Sequence, residues 1–196
     1  MLKKLIVLGM IILCFGTTCL AEEVQINPNL TALRLIDDQS IEQAKASPTA
    51  YFSYYLGYKY PILLYSMHFY LMTPYLMLQY AYYQEKQAFI PVSDSMLKDI
   101  FDVKDYAFVF TNAKDSSMHL FPSNLKNLVI KKGESVYQSA GIQSKTLIGW
   151  GAPPSEIYSF PIALFDGEDI DIIAIDQKDQ RFTIKVKGKD MGKGLQ

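Results

Sequence analysis

The chain has 196 residues, 49% of them hydrophobic and 20% charged, with a formal net charge of -1. That balance belongs to a folded globular chain rather than a disordered one, and near-neutrality without a basic run interleaved with aromatics excludes a nucleic-acid footprint. The absence of a phosphate-cradling glycine loop and of a dinucleotide fingerprint excludes nucleotide sites of those kinds.

Residues 1–21 read as a cleaved signal peptide. Lys3 and Lys4 supply the positive region, Leu5 to Phe15 the apolar core, and Cys19, Leu20 and Ala21 a small-x-small site before Glu22. Both cysteines, Cys14 and Cys19, lie inside it, so the mature chain has no thiol for a disulfide, a thiolate metal site or a nucleophile. A lipoprotein reading would lipidate Cys19, but Gly16, Thr17 and Thr18 before it lack the usual large aliphatic and small pair. Retention of the leader as an anchor is disfavoured by its short apolar core. Loss of Lys3 and Lys4 takes two of the 19 basic residues and leaves 20 acidic ones, a mature charge near minus three. The expected location is the periplasm or the exterior.

After the leader, Glu22 to Asp38 reads as an extended arm and a turn. Ser40 to Gln43 has the form of a capping box, predicting a helix from Ile41 to Ala46. Ser47 and Pro48 repeat a helix-start pair, predicting a helix from Pro48 to Leu56 ended by Gly57 as a left-handed cap. Tyr51, Tyr54, Tyr55 and Tyr58 would then recur at three- and four-residue spacing along one helix.

Eleven of the 14 tyrosines lie between Tyr51 and Tyr83, and with His68 neutral no formal charge falls between Tyr60 and Gln84. A membrane span needs about twenty such residues, but Pro61, Pro74, His68, Ser66, Thr73 and Gln79 interrupt the stretch, and tyrosine prefers the interface to the hydrocarbon. The run from Ile62 to Leu71, flanked by prolines, fits a buried strand better than a helix. Thr73 and Pro74 then start a helix running to about Gln87. It places Leu76, Met77, Tyr80, Ala81 and Gln84 on one face and Tyr75, Gln79, Tyr82 and Lys86 on a half-wet one.

Ser93 is an N-cap, with Val92 stapling onto Leu97, for a helix from Asp94 to about Phe101. From Asp105 the period becomes two. Tyr106, Phe108 and Phe110 alternate with Ala107, Val109 and Thr111. Leu128 to Lys131 and Ser135 to Tyr137 flank a Lys-Lys-Gly-Glu turn. Ile157 to Phe165 and Asp169 to Ile175 flank Asp166, Gly167 and Glu168, a hairpin signature, and Phe182, Ile184 and Val186 alternate with charged neighbours. The expected fold is α+β: a mainly helical, Tyr-rich annex over residues 22–103, packed on a C-terminal antiparallel immunoglobulin-like β-sandwich over residues 104–188, with a flexible tail over 189–196.

Catalytic patterns are sparse. His68 and His119 lack the spacing of a zinc site, and no G-x-S-x-G elbow is present. His68 reads as a core histidine whose ring nitrogens meet backbone groups. Asp166, Glu168, Asp169 and Asp171 could form a weak surface calcium site or a carboxylate pair, but lack the order of an EF-hand. Trp150, the only tryptophan, stands in Ile-Gly-Trp-Gly-Ala-Pro-Pro, and such a loop ring either plugs the end of a sandwich or stacks on a sugar or peptide. The sequence calls for no cofactor and no metal. Its expected function is non-catalytic: an exported interaction or assembly module that meets an envelope protein through Tyr51, Tyr54, Tyr55 and Tyr58. The alternative is a module that binds a surface glycan or peptide through Trp150 and Tyr158, and a further alternative is a hydrolase with an unrecognised site.

Overall fold

The computed structural model describes residues 36–50, 53–62, 65–115, 120–121, 125–151 and 156–188. In chain order these form α1 (Ser40–Ala46), β1 (Tyr54–Ile62), β2 (Tyr65–Met72), α2 (Pro74–Ala88), α3 (Asp94–Asp102), β3 (Tyr106–Asp115), β4 (Leu120–Phe121), β5 (Leu125–Lys132), β6 (Ser135–Gln138), α4 (Lys145–Gly149), β7 (Ile157–Pro161), a 3-10 turn (Ile162–Phe165), β8 (Ile170–Asp176) and β9 (Arg181–Val186). The architecture is α+β with two antiparallel sheets. The expected leader and flexible tail, with Tyr51 and His119, fall outside the described residues.

The Tyr-rich region is not a separate helical annex: α1, α2 and α3 lie in it, but two strands of the first sheet stand between α1 and α2. Residues 54–72 form a hairpin in which Tyr55 pairs with Tyr70 and Tyr58 with His68. None of the described residues of the expected helix from Pro48 to Leu56 is helical: Tyr54 to Leu56 belong to β1, paired with β2, and the segment before them is tied to α2. Gln79 Nε2 on α2 donates to the Ser47 carbonyl at 2.6 Å, and Thr49 N donates back to the Gln79 carbonyl at 3.4 Å. Gly57 lies inside β1, not at a helix end. It adjoins a bulge between Tyr55 and Gly57 and has φ 138°, a conformation that residues with a Cβ rarely adopt.

β2 explains why helical spacing misleads here. Met67, Phe69 and Leu71 point into the core, while His68 and Tyr70 lie half-buried on the opposite face, so both faces carry apolar groups and the alternation is masked. β2 pairs with β3 along its whole length, from Tyr65 against Asp115 to Met72 against Phe108. β4 and β7 pair with β3 as well, and the second sheet runs β6-β5-β8-β9.

That order is not the immunoglobulin arrangement, in which strands from both halves of the chain alternate between an A-B-E-D sheet and a C-F-G sheet. The expected hairpin across Asp166, Gly167 and Glu168 is also absent. β7 pairs with β3 in the first sheet and β8 with β5 and β9 in the second, so this turn carries the chain between sheets. One contiguous core joins them: Phe69, Leu71, Val109 and Phe160 from the first sheet, with Leu128, Ile130, Ile172 and Ile184 from the second.

Two helices begin as their residues dictate. Thr73 Oγ1 accepts from Leu76 N at 3.3 Å, with Pro74 at the first helical position. Ser93 Oγ accepts from Met96 N at 3.2 Å. On α2, however, Tyr75 and Tyr82 are buried rather than half-wet, because α1 packs against this helix and Lys45 Nζ lies 5.5 Å from the centre of the Tyr82 ring. Burial pushes the Tyr82 phenol up, against the pull of Lys45. α1 also starts differently from a capping box. Ser40 is buried, its hydroxyl donates to Asp37 Oδ1 at 2.9 Å, and Gln39 precedes the helix with no side-chain cap.

Candidate functional site

A cleft of about 520 Å³ lies between α2, α3 and α4, within the range of small-ligand sites. Its construction begins at β7. Ser159 holds the strand's neighbour loop: Ala140 N donates to its carbonyl at 2.8 Å, Ile142 N to its hydroxyl at 2.8 Å, and Ser159 N donates to Ser139 Oγ at 3.0 Å. The chain thus enters α4 at a fixed place. Ser144 caps this helix by accepting from Leu147 N at 3.2 Å.

α3 completes the cap with a carboxylate. Asp99 Oδ2 accepts from Ser144 Oγ at 2.6 Å and from Thr146 N at 2.9 Å, while Oδ1 accepts from Lys145 N at 3.1 Å. Burial acts to raise the Asp99 pKa, but the bonds from Ser144, Thr146 and Lys145 outweigh it and hold the carboxyl below its ordinary range. At the far end of α4, Trp150 N donates to the Thr146 carbonyl at 3.0 Å, which sets the indole against α2. Trp150 and Tyr80 meet edge to face, with centroids 5.1 Å apart and planes at 81°. Gln84 Nε2, one turn on, donates to the Tyr80 hydroxyl at 2.6 Å.

Apolar walls come from Ala81, Met96 and Ile90, the last in the α2–α3 connection. That connection is held by Glu85, whose Oε1 accepts from Val92 N at 3.2 Å. Just before it, Phe89 is 88% exposed and left-handed at φ 56°.

Of the residues singled out from sequence, Trp150 lies in this cleft and Tyr158 does not line it. Tyr158 sits on β7 opposite Val109, and burial, with the Glu156 carboxylate, pushes its phenol up to about 12. The tyrosines of the expected helical face are split by the strand. Tyr54 is 4% exposed, and burial raises its phenol pKa, helped by Tyr75. Tyr55, 39% exposed, turns outward, and Tyr58 is half-buried.

Tyr55 and Tyr58 join a strip that no helical spacing could reveal. Tyr58 stacks on His68 at 5.6 Å, Tyr55 lies 5.6 Å from His68 and 5.5 Å from Tyr70, and Tyr70 stacks on Phe110 at 5.4 Å. His68 Nε2 is bonded to Ser66 Oγ at 2.7 Å, so this nitrogen meets a side chain rather than the backbone group expected. Cross-strand pairing alone creates the strip.

The remaining cleft residues were partly accessible to sequence. The helical face with Tyr80, Ala81 and Gln84 is the one that lines it. Asp99 and Lys145 carried no signal, because what joins them is a contact across more than forty residues.

The acidic turn is neutralised by lysines. Lys132 Nζ pairs with Asp166 and, at 3.2 Å, with Glu168; Lys187 Nζ lies 3.3 Å from Asp169 Oδ2. The Lys132 bond holds the Asp166 carboxyl below its usual range. Among the described residues no group of three or more His, Cys, Asp or Glu side chains is placed to hold a metal. None of the described helices is long and apolar enough to cross a membrane. The chain matches no known family model, no curated protein and no solved structure.

Proposed function

We propose that the chain is an exported, non-catalytic binding protein that takes a small ligand in the α2–α3–α4 cleft against Trp150. The observation that carries this reading is the cleft itself. It is an open concavity with one indole and one phenol ring at its wall, on helices fixed by side-chain caps. Export rests on the signal-peptide reading of residues 1–21, which supports a location in the periplasm or outside the cell.

Because Trp150 is the only tryptophan, its emission reports the cleft directly. The test is titration with the neutral probe N-phenyl-1-naphthylamine under excitation of Trp150. Saturable energy transfer, together with quenching of Trp150 by acrylamide, is the expected result. A blue emission that acrylamide cannot reach and no transfer to the probe would mean that Trp150 is a plug.

A second reading is favoured by the ring contacts from Tyr58 through His68, Tyr55 and Tyr70 to Phe110. Aromatic rings are enriched where proteins meet, so this strip is the place for an envelope protein partner. Substitution of Tyr55 and Tyr58 by alanine should then abolish co-purification with that partner while ligand transfer at Trp150 persists. Loss of both would count against separate sites.

A further inference from the structure

The way the cleft's polar groups are used narrows its ligand. Gln84 donates to the Tyr80 hydroxyl at 2.6 Å, and the Ser93 and Ser95 hydroxyls bond each other at 2.9 Å, with Ser93 also capping α3. Both oxygens of Asp99 are taken up by the start of α4. A hydroxyl-rich ligand such as a neutral glycan would have to break these bonds to satisfy its own groups, a costly exchange in a half-buried site.

One lining group stands apart. Lys145 is exposed at the rim, and among the described residues its ammonium has no ion pair. The nearest lining carboxylate, Asp99, accepts from the Lys145 backbone and is committed to the helix start. The cleft therefore offers apolar wall and one uncommitted positive charge.

We infer that the cleft takes a monoanionic amphiphile, an apolar ring or chain against Trp150 with a single acidic head at Lys145. This rests on the proposed ligand-binding reading and adds the ligand's charge and polarity to it. The apolar body would displace water from Trp150, Met96 and Ile90, and the head would meet Lys145 without disturbing the Asp99 cap. An aromatic acid and a fatty acid share this chemistry.

The test uses two probes with the same ring system, 1-anilinonaphthalene-8-sulfonate and the uncharged N-phenyl-1-naphthylamine, each read by energy transfer from Trp150. The full mature chain is compared with Lys145→Ala, a substitution at an exposed position. The variant should weaken the sulfonate probe about threefold to fivefold, the size of an exposed charge contact, and leave the neutral probe unchanged. Raised salt should weaken the sulfonate probe in the wild type and much less in the variant.

Equal response of both probes, or none to the substitution, overturns the charge assignment and leaves the cleft reading standing. Absence of transfer to either probe removes the cleft reading as well. Competition then separates the sources. Displacement of the sulfonate probe by phenylacetate points to an aromatic acid and by dodecanoate to a fatty acid, and either outcome supports the inference. Displacement by chitotriose and by neither acid overturns it.

Discussion

Asp99 does two jobs with one carboxylate: it ends the polar wall of the cleft, and it holds the start of a helix of only five residues. So short a helix has little stability of its own, so the contact from α3 decides whether Trp150 has a fixed place. The Asp99 carboxyl is held below its usual range by the groups it accepts from. A depressed carboxylate stabilises the fold above its unfolded pKa, near 3.9, and loses that contribution as pH falls through the lower folded value. Asp99→Ala should therefore cost about 1–2 kcal/mol at pH 7, as loss of a cap does, or about 2–8 °C in Tm for a chain of this size. The gap between the two proteins should narrow as pH drops below about 4. A gap that is constant from pH 7 to pH 2 would show that the charge contributes nothing. Little of this was readable beforehand. Tyr54 and Tyr55 make the same point: they are neighbours in sequence, 4% and 39% exposed, and only knowledge that they lie on a strand separates them.

Among the elements, those written locally were legible and those written at a distance were not. α2 and α3 start at Thr73 and Ser93 because each residue reaches an amide three positions on, a bond that involves nothing else in the chain. The β8 and β9 strands show a period of two because one face meets water. β1 and β2 hide theirs, and the bulge at Gly57 breaks what remains of it. The Asp166 turn was legible as a turn, yet its flanking strands join different sheets, which no local signal encodes. The end of α2 is a further exception. Left-handed helix ends usually fall to glycine, but here Phe89 takes that conformation while 88% exposed. A side chain with a Cβ costs about 1–2 kcal/mol there, and the exposed ring recovers little by burial. Phe89→Gly should thus stabilise the protein by about 0.5–1 kcal/mol after the entropy of glycine is counted. Urea unfolding should show a raised midpoint with an unchanged slope. A lowered midpoint would mean that the Phe89 ring is held by contacts that outweigh its backbone strain.

Taken together, the two sheets place the burden of the fold on contacts between distant parts of the sequence. β3 is central: β2 covers one edge along eight paired positions, from Tyr65 to Met72, and β7 covers part of the other. Met67, Phe69 and Leu71 of β2 are buried in the same core as Leu128, Ile130 and Ile172 of the second sheet. The change of period near residue 104 reads as a boundary because alternation begins there, but the first sheet draws strands from both sides of it. A chain starting at residue 104 would leave the β2 edge of β3 unpaired, and both unpaired backbone groups and lost apolar burial count against it. We expect residues 104–196 expressed alone to lack a cooperative thermal transition and near-ultraviolet dichroism, and residues 22–103 supplied as a second chain to restore both. The cleft adds an independent readout, since Trp150 lies in the C-terminal piece and Tyr80 in the other: transfer from Trp150 to N-phenyl-1-naphthylamine should appear only when the two pieces are combined. A cooperative transition from residues 104–196 alone would show instead that the second sheet, with β3 and β7, is a complete folding unit and that the Tyr-rich hairpin is an addition to it.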